Sequence, residues 1–172
     1  SGFGPGLGAD GTGILLNNRM TYWHLDPQHV DCLEPGKRVR HTMNPVMVFR
    51  DCQLILALGT PGADTQVQTN LQLITHILDF GMTPVEAVEA PRWRHIQSPM
   101  ESTVPHTAED ALNLEARFSE DTARGLALRG HPVQVIGPWA AVGSAMVIQV
   151  DPVTGAYWGA ADPRRDGYAI GW

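Results

Sequence analysis

The chain has 172 residues, 43% of them hydrophobic and 17% charged, which suits one domain with a sizeable core and excludes a disordered segment. Its formal net charge of −6 argues against a nucleic-acid surface, and no apolar run approaches the length of a membrane span. Cys32 and Cys52 fit neither a metal-ligand spacing nor a disulfide framework, no motif calls for a cofactor, and no signal peptide opens the chain, so the compartment is left open.

The chain begins with "SGFGPGLGADGTG", six glycines in thirteen residues, which reads either as a flexible leader or as a start in the middle of something larger. Residues 14–16 form a short apolar run expected to be a strand ending at Asn17-Asn18. Residues 19–44 show no period and are expected to be a long ordered loop, a feature that in compact domains is often functional. Residues 46–49 and 54–58 are β-type runs joined by a polar link, which predicts a hairpin. The second run is apolar on both faces and should be a buried central strand.

The strongest helical pattern covers 65–80, where Val67, Leu71, Ile74 and Leu78 form a stripe that Leu73 and Ile77 widen. Asp64 is the expected N-cap and Gly81 the expected stop. A shorter helix over 84–90 begins with Pro84 and ends at Pro91. Residues 112–117 alternate like a strand, Ser119 caps a helix ending at Gly130, and 133–136 and 145–150 read as strands. "DPVTGAYW" turns into a closing strand over 157–161. With no repeats and no linker, 1–172 reads as a single α+β domain of layered architecture.

The stretch "LGTPGADTQ" places a buried strand, a tight Pro-Gly turn and a helix start in succession. Such a turn aims unpaired backbone N–H groups at one point, and the helix dipole adds positive potential. In acyl transfer that arrangement stabilises an oxyanion; it also serves as an ordinary tight turn.

Six motifs in order, "GTGILLNNRM", "PGKRVRHTMNPVMV", "LGTPGADTQ", "EAVEAPRWRH", "LRGHPV" and "GAADPRRDGYA", resemble the small, C-terminal subunit of the γ-glutamyltransferase family, including its acylase and amidohydrolase relatives. The resemblance runs from Phe3 to the C-terminus. It implies an N-terminal-nucleophile hydrolase with an αββα four-layer sandwich, of which this chain supplies part. It also implies a self-cleaving precursor whose large subunit is the partner, and a small amide or γ-glutamyl substrate. The nucleophile would be a Thr freed at a new N-terminus, where an α-amine titrating near neutrality can act as base. By this resemblance Gly62 and Ala63 form the oxyanion hole, Arg19 and Tyr22 face the amino end of the substrate, and His41 and Thr42 hold its carboxylate.

Several positions depart from the family pattern. Tyr22 stands where the transferases place an acid that binds the glutamyl ammonium, and a phenol offers no full negative charge there. His41-Thr42 replaces a pair of serines and resembles the acylase and amidohydrolase branch. Ala63 replaces a glycine, keeping the N–H while restricting the backbone. The Thr-bearing hairpin lies upstream of Phe3-Gly4 in the family, so the resemblance puts the nucleophile outside this chain. Ser1 falls on an interior position just before it.

Other polar residues have rival roles. His24, Asp26, His29 and Asp31 match no metal motif and are expected to satisfy loop backbone. Lys37, Arg38 and Arg40 either draw a carboxylate towards the site or form a solvated loop with surface ion pairs. Arg92 and Arg94 flank Trp93 and are expected to carry charge on the solvent side of an edge strand. Asp162 and Arg164 are expected to form a buried pair that fixes the C-terminal strand. Two functions follow: part of an amide-bond hydrolase or γ-glutamyl transferase, of which the acylase or oxamate-type branch is one alternative, or a non-catalytic binding or assembly subunit of the same fold.

Overall fold

A computed structural model describes residues 4–102 and 104–171; Ser1 and Phe3, singled out above, lie outside them. Among the described residues, two sheets and three α-helices make an α+β fold. The larger sheet is antiparallel, with strand order β1 (Val46–Arg50), β2 (Gln53–Gly59), β6 (Met146–Val150) and β7 (Tyr157–Ala161). As expected, β2 is central, between β1 and β6, but of its residues only Leu56 and Leu58 are buried, because the sheet is covered on one face. The β1–β2 turn consists of Asp51 and Cys52 alone, both at positive φ (50° and 63°), the backbone twist that two-residue hairpins favour.

One face of this sheet packs under α1 (Gln66–Leu78) and α2 (Pro84–Glu89). The core lies between these layers: Leu56 and Leu58 of β2 and Val147 of β6 meet Leu73 and Ile77 of α1 and Ala87 and Val88 of α2. Met47, Met146 and Ile148 point to the opposite face and stay exposed. Thr83 caps α2 with a capping box: its side chain accepts from the Glu86 N–H while the Glu86 carboxylate reaches back to the Thr83 N–H.

Three expectations for the first helix need correction. Its stripe does not face the core at the N-terminal end, for Val67 and Leu71 are 63% and 55% exposed. The buried face instead carries Thr69, Asn70, Gln72, Leu73 and Ile77. Asp64 is not the N-cap; it sits inside a short 3-10 turn, Ala63–Thr65, and Thr65 precedes the helix without a side-chain cap. The helix ends at Leu78, ahead of Gly81, which turns the chain at φ 69°.

The smaller sheet has the order β3 (Trp93–Ile96), β4 (Ala111–Glu115), β5 (Val133–Ile136). β4 and β5 are parallel, connected through α3 (Glu120–Leu128), whose N-cap Ser119 accepts from the Thr122 N–H. β3 is an edge strand, and two glutamines from α1 cover its open side. Gln68 binds both the N–H and the C=O of His95 (2.8 and 2.8 Å), and Gln72 does the same for Trp93 (3.1 and 3.0 Å). Spaced i, i+4 on one helix face, the two amides imitate the next strand.

The run at 14–16 forms no strand. Ile14, Leu15 and Leu16 are exposed, and Leu15 makes only an isolated bridge to Gly8. Residues 19–44 are irregular as expected, apart from a 3-10 turn at Arg19–Tyr22 and an isolated bridge between His24 and Cys32.

Arg92 is not on a solvent face. It is 2% exposed and joins Glu115, Asp162 and Arg164 in a buried charge network. Arg164 grips both oxygens of Glu115 (2.7 and 2.6 Å), binds Asp162 Oδ1 (3.1 Å) and donates to the C=O groups of Val88 and Ala90 at the end of α2 (2.8 and 2.9 Å). Asp162 also ion-pairs with Arg92, and Glu115 accepts from the Arg92 and Ala141 N–H groups (3.0 and 3.1 Å). The expected Asp162–Arg164 pair is therefore one edge of a knot that ties β4, the end of β7 and α2 together. Breaking a buried pair strands a charge, so each member depends on the others.

Candidate active site

The turn after β2 is held from below. Thr60 Oγ1 donates to Pro61 O (2.8 Å) and accepts from the Ser144 N–H (3.0 Å). Gly143 lies so close that a Cβ there would fall 2.7 Å from Thr60 Oγ1, and its φ of 114° independently suits glycine. Gly62 follows at φ 136° and Ala63 at φ 51°, so the departure from glycine at 63 leaves a residue with a side chain in the left-handed region. Among the described residues, neither the Gly62 nor the Ala63 N–H has a hydrogen-bond acceptor.

Both residues line a cleft of about 540 Å³, together with Arg19, Tyr22 and Thr42. Arg19 Nη1 ties these side chains together, donating to Tyr22 Oη (3.2 Å) and Thr42 Oγ1 (3.2 Å), with its guanidinium 5.5 Å from the Tyr22 ring centroid. Tyr22 is 4% exposed and forms a fixed wall. His41 does not line the cleft: it is exposed, and its Nδ1 accepts from the Met43 N–H (3.1 Å). Five of the six residues singled out from the sequence thus meet at one place, though Arg19 and Tyr22 lie twenty or more positions before Thr42 and Gly62.

Two further residues on this cleft, Arg94 and Ser102, were not singled out as site residues. Arg94 comes from β3, where alternation alone would send it to solvent. The α1 glutamines set the strand so that it is half-buried instead, and burial lowers its pKa against a smaller opposing pull from Asp64. No sequence signal marks Ser102. Its N–H binds Asp64 Oδ2 (3.1 Å), while Asp64 Oδ1 meets Arg40 (3.4 Å). Arg40 is thus in an ion pair, as is Lys37 with Glu34 (3.2 Å).

A second polar cluster lies off this cleft. His24 Nε2 and Glu101 Oε2 are 2.9 Å apart, and the His24 ring stacks on His29 (centroids 3.5 Å, 18°) and on His106 (4.3 Å, 24°). His24, His29 and Glu101 bring one potential ligand atom each within 4.8 Å of the others. Imidazole lone pairs lie in the ring plane, so stacked rings direct them in parallel and not to a shared point. The arrangement suits hydrogen bonding to Glu101, whose carboxyl the His24 hydrogen bond holds below its ordinary pKa. Asp26 serves the loop, accepting from the Gln28 N–H (2.9 Å), and Asp31 stays outside the cluster.

The whole chain, residues 1–172, matches the family profile described as gamma-glutamyltranspeptidase. It is 40% identical over 170 residues to a glutathione hydrolase-like proenzyme of Bacillus subtilis, covering 98% of this chain and 31% of that protein. It is 35% identical over 171 residues to an oxamate amidohydrolase proenzyme of Klebsiella pneumoniae, covering 99% and 31%. Among solved structures, a cephalosporin acylase from Bacillus halodurans superposes with TM-score 0.84 at 35% identity, over 98% of this chain and 30% of that one. A chain of the Helicobacter pylori gamma-glutamyltranspeptidase T380A mutant superposes with TM-score 0.80 at 28% identity, over 96% of this chain and 89% of that one. This chain therefore spans about a third of the length of these two curated relatives.

Proposed function

Because this chain belongs to the γ-glutamyltranspeptidase family, we propose that it is the part of an amide-bond hydrolase that supplies the oxyanion-binding turn and the substrate cleft. The observation that carries this reading is that Gly62 and Ala63, whose N–H groups have no acceptor among the described residues, both line the cleft where the 3-10 turn leads into α1. Attack on an amide carbonyl converts its oxygen to an oxyanion. Two fixed donors favour that charge over the neutral carbonyl and need no reorganisation to do so. The amine then leaves, and water releases the acyl group.

The nucleophile in this reading is a Thr elsewhere in the precursor, freed by self-cleavage. The proenzyme names of the relatives, and the 89% coverage of a separate chain in the Helicobacter pylori enzyme, support a two-chain product. The larger region of the precursor is then the partner. The exposed sheet face bearing Met47, Met146 and Ile148 offers the layer on which the second sheet of an αββα sandwich would pack.

Oxamate-type and acylase-type amides fit the cleft better than γ-glutamyl compounds, because Tyr22 has no charge to set against a glutamyl ammonium. Steady-state rates of the full-length protein on oxamate, an acylated β-lactam nucleus and a γ-glutamyl anilide test the reading. Hydrolysis of either of the first two supports it. Binding without turnover of any amide would favour the non-catalytic subunit.

A further inference from the structure

The cleft beside the Gly62–Ala63 turn carries unbalanced charge. Among the described residues lining it, Arg19 and Arg94 are cationic and none is an aspartate or glutamate. This is a positive hollow in a chain whose formal net charge is −6. The neighbouring cleft, which shares Arg94 and Met100 with it, is balanced by contrast: Asp64 and Glu101 stand there with Arg40 and Arg94.

The two cations differ in what they already hold. Arg19 spends its Nη1 on Tyr22 and Thr42. Arg94 makes no hydrogen bond and no ion pair through its guanidinium among the described residues. The one nearby opposite charge that acts on it, Asp64, is already engaged by Arg40 and the Ser102 N–H. Its strand does not wander either, since Gln72 and Gln68 pin the residues on both sides, Trp93 and His95. A guanidinium that is half out of water, held in place and unpaired is preorganised for a carboxylate, which it matches with two parallel N–H donors.

We propose that Arg94 is the specificity-determining residue of this cleft, reading a carboxylate on the substrate. The substrates it selects are short amides that are anionic and carry no free ammonium group, such as monoamides of dicarboxylic acids. An ammonium finds no acid on the described walls, and Tyr22 offers only a phenol. The assignment rests on the amide-hydrolase reading of the cleft.

The test uses the full-length protein, a monoamide such as succinamate and its uncharged diamide, with Arg94→Gln and Arg94→Lys. Arg94→Gln should raise KM for the monoamide by about 10- to 100-fold, the range for losing a charged hydrogen bond, with little change in kcat. The diamide, which has no carboxylate to lose, should be affected far less, and an unfolding transition unchanged from wild type shows that the variant folds. Arg94→Lys should recover part of the loss. Equal losses on both substrates, or no loss on the monoamide, would overturn the assignment. Succinate binding, followed by tryptophan fluorescence, gives a readout independent of turnover. If succinate binds, weakens with Arg94→Gln, and no amide is hydrolysed, the carboxylate reading stands and the hydrolase reading falls. If amides are hydrolysed and Arg94→Gln changes neither KM nor succinate affinity, the reverse holds.

Discussion

Thr60 Oγ1 accepts the Ser144 N–H at 3.0 Å, joining the end of β2 to the chain just ahead of β6 across 84 residues of sequence. Both residues are buried, so this hydroxyl satisfies a backbone donor that water cannot reach. It also fixes the base of the turn that carries Gly62 and Ala63. Thr60→Val keeps the shape and removes the acceptor, and should cost about 1–3 kcal/mol of stability. Thr60→Ser should stay near wild type. Denaturant unfolding of the full-length protein checks both, and a Thr60→Val protein as stable as wild type would show that the bond is immaterial.

Ala63 sits at φ 51°, where a Cβ is strained and a β-branched side chain more so. Ala63→Gly keeps the N–H and relieves the strain, so kcat/KM should be close to wild type. Ala63→Val should distort the turn and lower kcat by the order of 100-fold, the scale of losing one oxyanion donor. Equal activity in the two variants would detach this turn from catalysis.

The buried network predicts acid sensitivity. Burial alone would raise the carboxyl pKa values of Glu115 and Asp162, yet both lie below their ordinary 4.5 and 3.8. Arg164 and the Arg92 and Ala141 N–H groups hold Glu115 down, and the Ala145 N–H and Arg92 hold Asp162 down. A depressed native pKa means that the unfolded chain binds protons first. The contribution to stability is therefore complete above about pH 4.5 and is lost as pH falls through the ordinary values towards the native ones. Glu115→Gln should cost about 3–5 kcal/mol at neutral pH by leaving the buried Arg92 and Arg164 to share the single charge of Asp162, and should flatten the dependence of melting temperature on pH below 4.5. A wild-type melting temperature that does not fall from pH 5 to pH 3 would contradict this account.

Tyr22 gives a prediction on substrates. Its hydroxyl already accepts from Arg19, and its ring is buried as a wall of the cleft. A γ-glutamyl anilide should therefore be turned over poorly beside oxamate or an acylated β-lactam nucleus by the full-length protein. Efficient γ-glutamyl turnover with the other two untouched would show that some other group binds the ammonium.

Local pattern was enough for the β1–β2 hairpin, the capped helices α2 and α3, and the strands β5 to β7. It failed where tertiary partners decide. Val67 and Leu71 look like core by period, but the sheet takes the face with Leu73 and Ile77, while Gln68 and Gln72 turn to β3. Arg92 and Arg94 alternate like solvent-facing charges, yet one enters the buried network and the other a cleft. Glu115 shows nothing in sequence of its role as hub, since the Arg164 guanidinium and the Arg92 N–H reach it only in the fold. The parallel β4–β5 pairing was legible in principle from a strand, a helix and a strand in succession over 111–136. The likeness of six motifs brought Arg19, Tyr22, Thr42, Gly62 and Ala63 to notice, which spacing alone does not. It also brought His41, whose ring turns to the Met43 N–H and away from the cleft.

The most direct measurement is a crystal structure of the full-length protein treated with a boronic-acid analogue of a short amide, which forms a tetrahedral adduct on the nucleophile. One adduct oxygen is expected about 2.7–3.1 Å from both the Gly62 and Ala63 N–H nitrogens. An adduct whose oxygen is held by other donors, with the Gly62–Ala63 turn away from it, would contradict the assignment of this turn as the oxyanion site.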